Sequence, residues 1–295
     1  MIEPSELMTE VPATTGQWRT VLRRFARHRL ALIAVVVLGV MAIACFGASW
    51  FAPNSQNKLD LLLGPTRPSR AHWFGTDDLG RDQLSELLYA GRISLEIGLG
   101  VAVLSTLLGT AIGAIAGYAG RWVDQLLMRV TDFFVVLPAI AVLAVAIRRF
   151  GNSTFTIALV LSAVGWMYVA RIVRGQVLSL KEREFVDAAR VSGASHARII
   201  VRHILPNTIG PILVNATLSV AAAIVTESAL SFLGFGVRPP ATSWGRMLQD
   251  ARGAVGTDHA YLVWVPGLAL VITVLAVNFI ADALRDALDP SSDRS

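Results

Sequence analysis

From Leu30 to Phe51 the chain runs for 22 residues without a charge. As an α-helix rising 1.5 Å per residue, that stretch is about 33 Å long, enough to cross a ~30 Å hydrocarbon layer. Inside lipid every backbone N–H and C=O needs an internal partner, so a single span of this kind must be helical. Five further apolar stretches follow, at Ile93–Tyr118, Asp132–Ile147, Thr154–Val169, Ile209–Thr226 and Leu262–Ile280. The third and fourth are short and need tilt or an extra turn. Only 16% of residues are charged and 54% are hydrophobic, against about a quarter charged in soluble domains. The expected fold is therefore all-α, a polytopic membrane protein with six transmembrane helices and both termini on one side. The division expected is 1–92, an N-terminal elbow helix, first transmembrane helix and extracytoplasmic loop, and 93–295, the transmembrane core.

Orientation follows from the basic residues. Arg19, Arg23, Arg24, Arg27 and Arg29 stand immediately before the first span, and positive charge favours the cytoplasmic side. With the N-terminus inside, sixteen Lys and Arg fall in inner segments and ten in outer ones. Arg148 and Arg149 fall on the disfavoured side, where snorkelling to headgroups is the account available. The net charge of +5 points to lipid contact rather than nucleic acid, because the basic residues flank apolar blocks. Trp18, Val21, Leu22 and Phe25 recur at i, i+3, i+4, i+7 among arginines. That pattern fits an amphipathic elbow in the inner interface, or a cytoplasmic turn continuous with the span. The polar, basic first 29 residues and the long run after them do not read as a cleavable signal peptide.

The longest inner connection, residues 170–208, carries the most structured sequence. Ser179 and Glu182 form an S-x-x-E capping box, predicting a helix from Lys181 through Arg190 with Phe185, Ala188 and Ala189 on one face. Gly193 breaks it. A second short helix, Ala194 to Leu205, is expected to end before Pro206, which disfavours helical geometry in its predecessor. The hairpin at 179–206 is either a solvated amphipathic loop or a thin-faced knob that another protein approaches closely.

The spacing Asp187-Ala188-Ala189, three residues, Gly193, nine residues, His203, one residue, Leu205-Pro206 resembles the EAA motif of binding-protein-dependent ABC importer permeases. The family pattern has Glu where this chain has Asp187 and Ile where it has His203; Asp keeps the charge, and the histidine is familiar in the peptide-transporting branch. The runs His72–Asp82, Glu227–Gly236 and Leu284–Pro290 resemble the second, C-type permease of dipeptide, oligopeptide and related nickel systems. This resemblance implies a methionine-importer (MetI-like) transmembrane fold with an added N-terminal helix, in a bacterial cytoplasmic (inner) membrane. It implies one half of a peptide translocation pathway, completed by a homologous second permease, two ABC ATPase subunits and an extracytoplasmic solute-binding protein. It implies ATPase-coupling roles for Glu184, Phe185, Asp187, Ala188, Ala189, Gly193, Ala194, His203, Leu205 and Pro206. No cofactor is expected on this chain, since ATP and Mg would be held by the partner ATPases.

Several residues admit two readings. Trp73, Gly75, Thr76, Asp77, Gly80, Arg81 and Asp82 fit a turn-rich outer cap or gate; their acids do not match the ligand spacing of an EF-hand. Glu227 is a pathway residue or a helix-to-helix hydrogen-bonding one. Gly109, Gly113 and Gly117 repeat every fourth residue, a stripe suited to tight helix packing. Pro138 should kink the third span. The five histidines form no metal motif, and no P-loop accompanies the two lysines, Lys58 and Lys181, so a non-catalytic subunit is expected. A stand-alone secondary transporter or channel is the alternative; it would often show an internal repeat, and none is evident.

Overall fold

The computed structural model describes residues 15–56 and 58–289. Among them the secondary structure is helical, apart from one isolated antiparallel bridge between Thr76 and Asp82. Five helices are long and apolar enough to cross a membrane, and a bent pair makes up to six. They are α2 (Arg29–Phe46), α4 (Gln83–Ala119), α7 (Thr154–Leu180), α10 (Leu205–Phe232, continuous with a preceding turn from His196) and α12 (Tyr261–Leu288). Shorter elements complete the chain: α1 (Thr15–Phe25), α3 (Ala48–Phe51), α5 (Arg121–Val136), α6 (Ala139–Phe150), α8 (Glu184–Val191), α9 (His196–Ile199) and α11 (Trp244–Asp250).

The central element is the pair α4 and α7. A Cβ on Gly109, Gly113 or Gly117 would lie 2.6, 2.4 or 2.8 Å from the nearest atom of α7, so the two backbones touch only because that face of α4 carries no side chains. Around this seam a cluster of Ile97, Val101, Leu143, Ile147, Ile157 and Leu161 packs, and α10 and α12 close the other side. Two ion pairs tie α5 to α7: Arg174 grips both Asp124 oxygens through its Nε and Nη2, and Arg171 donates to Asp132 at 2.7 Å. The added helix α2 buries only the small residues Ala31, Ala34 and Cys45, against α12 and α4. Ile33, Val36, Val40 and Ile43 stay exposed, as a lipid-facing surface requires. The elbow α1 packs on α12, with Arg24 donating to the Asp289 carbonyl at 3.0 Å; the side chain of Trp18 and residue Pro290 lie outside the description.

Four expectations are corrected. The third span is not one kinked helix: α5 and α6 meet at 90° around Leu137–Pro138, and neither half is long enough to cross alone. A proline whose ring clashes with the preceding turn and whose nitrogen has no proton has ended one helix and begun another. The spans are longer than hydropathy indicates: α4 begins at Gln83, where Asp82 caps it by accepting from Ser85 N at 2.9 Å, and α7 continues to Leu180. The Ser179–Glu182 capping box does not form, because Ser179 is in the last turn of α7 and α8 starts after Arg183, with no side-chain cap. Pro206 does not end a helix. A π-helical turn, Ile200–Ile204, leads into α10, with Pro206 in the first turn of α10 where its missing N–H costs little.

Candidate functional site: a hairpin and a clasp at opposite ends of the bundle

The connection between α7 and α10 folds into a compact hairpin. Helix α8 closes with a full C-terminal cap: Gly193 N donates to Arg190 O and Ala194 N to Ala189 O, both at 3.0 Å. This 6→1 and 5→2 pattern needs a left-handed residue, and Gly193 supplies it at φ 78° with open space around it. Ser195 then caps α9 by accepting from Arg198 N. Val186, Ala189, Ile199 and Ile204 are buried against Val169, Val173 and Val177 of α7 and Ala114 of α4, so the hairpin stands on the C-terminal ends of the central pair.

The two alanines part company. Ala188 and Phe185 are exposed, with Glu184 and Asp187 beside them, whereas Ala189 faces inward and is 9% exposed. The thin outer surface thus belongs to Ala188, and Ala189 is what lets α8 sit close to its own chain. Asp187 is paired with Arg190 at 2.8 Å. His203 lies in the π turn, its carbonyl accepting from Asn207 Nδ2 at 2.6 Å; Leu205 is half-buried and Pro206 exposed.

Two residues not singled out from sequence complete the hairpin. The Tyr118 hydroxyl, at the end of α4, lies 3.0 Å from His196 Nδ1, and their rings meet edge to face at 5.5 Å. Arg190 stacks over the same Tyr118 ring at 5.9 Å. No spacing rule reaches across 78 residues to find that pair.

On the other face, residues 60–86 form a clasp. Thr76 is fully buried; its hydroxyl donates to Gly64 O at 2.7 Å and accepts from Thr66 N at 2.8 Å. The Tyr261 hydroxyl, from the start of α12, sits within 2.8 Å of both the Thr66 and Thr76 carbonyls. Asp77 gathers the backbone of Leu79 and Arg81 and the Arg81 side chain at 2.7–2.9 Å. Burial alone would pull the Arg81 guanidinium down, yet Glu86, Asp77 and Asp250 around it hold it above its ordinary value. Gly80 allows the Asp60 carbonyl to pass where a Cβ would stand 1.9 Å away. Asp82 binds His72 Nδ1 at 2.9 Å as well as capping α4. Gly75 is buried, and Trp73 projects outward, exposed. Asp77 and Asp82 are thus engaged by a guanidinium, backbone amides, a histidine and a helix cap, while Asp78 is exposed, and no group of three or more potential metal ligands occurs among the described residues.

Glu227 is fully buried where α10 meets the turn leading into α11, accepting from Ser231 Oγ at 2.6 Å and Ser243 Oγ at 2.8 Å. Next to it Trp244, also fully buried, donates from its indole to Leu87 O at 3.1 Å, so α11 locks the start of α4 to the end of α10. A cleft of about 700 Å³ opens beside α11, lined by Asp77, Arg81, Glu86, Arg246 and Asp250.

Comparison with known proteins accords with this arrangement. Residues 109–294 match the model of the binding-protein-dependent transport system inner membrane component, and residues 16–65 match the N-terminal transmembrane domain of oligopeptide transport permease C. A candidate peptide permease of Brucella suis is 42% identical over 96% of this chain and 94% of its own length. The oligopeptide transport system permease OppC of Bacillus subtilis is 38% identical (92% and 89% covered), and that of Mycobacterium bovis 41% (92% and 94%). Among solved structures, an inward-facing form of the MetNI methionine ABC transporter superposes with a TM-score of 0.51 over 66% of this chain and 94% of that one, at 19% identity, which supports the fold. With a stripe-packed pair of spans, an inner hairpin on their ends and relatives matched along nearly the whole chain, the protein belongs to the family of binding-protein-dependent transport system inner membrane components.

Proposed function

We propose that this chain is the permease subunit that forms half of the pathway of an ATP-driven peptide importer, with both termini cytoplasmic. A homologous second permease supplies the other half, two ATPase subunits work from inside, and a solute-binding protein delivers cargo from outside. The observation carrying this reading is the hairpin at 184–206: a small exposed face at Ala188, a glycine-capped turn, and a base built into the inner ends of α4 and α7. Peptide cargo rests on the names of the OppC relatives. The coupling roles of Glu184, Phe185, Asp187, Ala188, Gly193, Ala194, His203, Leu205 and Pro206 belong to this proposal, as do a gate role for the outer clasp and the division of the chain near residue 92. Glu227 reads better as a fastening of α11 to α10 than as a pathway group, because both its partners are serines of that junction.

The test is reconstitution. Purified with its second permease and ATPases in vesicles, the complex should take up a short peptide only with ATP and the binding protein, and the binding protein should stimulate hydrolysis. Uptake by this chain alone, driven by an ion gradient, would establish the stand-alone transporter instead. Topology is checked separately on a variant whose native cysteine is replaced. A cysteine at the exposed Asp78 should react with an impermeant maleimide in intact cells, and one at Arg183 should not. Labelling of Arg183→Cys alone would invert the orientation.

A further inference from the structure

Arg148 and Arg238, far apart in sequence, line one small cavity of about 120 Å³ together with Asn152. Its walls are the turn between α6 and α7 and the Gly234–Arg238 turn that follows α10. Its back is the apolar core: Ile147 lines it, and Ile147 and Val237 are nearly fully buried in the cluster around α4 and α7. The polar side chains that line it are two guanidiniums and one amide. Neither arginine makes a side-chain ion pair or hydrogen bond among the described residues, and no acidic residue lines the cavity. The Nδ2 of Asn152 is buried with no acceptor among the described residues. Beside it begins the 27-residue helix α7, whose positive end favours negative charge.

Two unpaired guanidiniums and an idle amide donor, with no carboxylate among the lining residues, describe a seat for an oxyanion. The site lies on the turns at the same end of the bundle as the outer clasp, and both arginines are exposed to the medium. Snorkelling to lipid explains an arginine at a helix end, but Arg238 stands six residues beyond the end of α10, in a turn, facing the same hole as Arg148. We propose that this cavity receives a side-chain carboxylate of the extracytoplasmic binding protein as it docks. The inference rests on the proposed import function and adds to it the residues and the charge sign of the outer contact. Bidentate pairing of arginine with carboxylate sets orientation, and the exposed positive charge speeds encounter.

The test uses the complete transporter in nanodiscs of zwitterionic lipid and the purified, cargo-loaded binding protein. Association is followed by biolayer interferometry at low and high salt. Arg148→Glu with Arg238→Glu should slow association roughly tenfold or more at low salt, with the gap narrowing at high salt. Arg148→Gln with Arg238→Gln should give a smaller loss of the same kind and guards against misfolding by the reversed charges; assembly is checked by gel filtration. Changing acids on the binding protein to arginine one at a time should identify one that restores binding to the glutamate variant. Wild-type association by both double variants overturns this inference alone. A loss that appears only when anionic lipid is added to the nanodiscs also overturns it and assigns the seat to headgroups. If the binding protein fails to bind even the unmodified complex, the import function falls with it.

Discussion

Valine at position 193 should leave the transporter assembled but at least tenfold poorer in uptake, with hydrolysis no longer raised by the binding protein. The reason is local. Gly193 sits at φ 78°, where a β-branched residue is strained by about 2 kcal/mol, and two hydrogen bonds of the α8 cap depend on that angle. The space around it is open, so the effect is conformational and not steric crowding. Ala188→Trp should give the same uncoupled phenotype by a different route, since Ala188 is exposed and the added ring would strike whatever docks there. Ala189→Trp should differ: its side chain points into the hairpin's own base, so the hairpin itself should come apart and the complex should lose thermal stability. Lys181→Ala should be nearly silent. Binding-protein-stimulated ATPase and peptide uptake in vesicles, with assembly measured in parallel, separate these outcomes. Normal stimulated uptake by Gly193→Val and by Ala188→Trp would remove the coupling role from this segment.

The largest loss of folded protein is expected from Gly113→Val. A Cβ there would lie 2.4 Å from the Ala170 carbonyl oxygen and 3.0 Å from the Val173 Cβ. The first of these is backbone of α7, which cannot rotate out of the way, so the helices must separate along their whole seam. Overpacking commonly costs 1–3 kcal/mol, and a backbone clash in the middle of the principal interface belongs at the top, about 3 kcal/mol. The variant should accumulate poorly in membranes and melt well below the unmodified complex. Gly100→Ala in the same helix is the control: its Cβ would meet only the Ala158 Cβ at 3.5 Å, an ordinary contact. Equal abundance and melting of Gly113→Val and Gly100→Ala would show that the seam is looser than its geometry implies.

What could be read from the residues, and what could not, divides along physical lines. Spans were legible because lipid imposes one demand, a long uncharged run, and α2, α4, α7, α10 and α12 each contain one. Their ends were not, because ends are fixed by caps and by packing beyond the hydrocarbon. Asp82 starting α4 is a local hydrogen-bonding event that no hydropathy threshold registers. Pro138 and Pro206 carry the same chemistry but opposite outcomes, a right-angle break in one case and a π turn running into an unbroken span in the other. Only the neighbours decide between them. Gly193 was legible as a helix stop since few residues adopt its angle, whereas the inward turn of Ala189 depends on which side of α8 meets α7. The outer clasp was visible as a turn-rich run, but its keystone, Tyr261, is 195 residues from Thr66.

The continuity of α4 has a mechanical meaning. Its 37 residues make a rod about 55 Å long, with Asp82 fastened into the clasp at one end and Tyr118 into the hairpin at the other. Along its length it is seamed to α7 without a side chain between them at three places. One unbroken helix therefore holds the clasp and the hairpin at a fixed separation, about its own length. The neighbouring pair α5 and α6 turns through 90° instead, and both halves stay attached to α7, α5 through its two ion pairs.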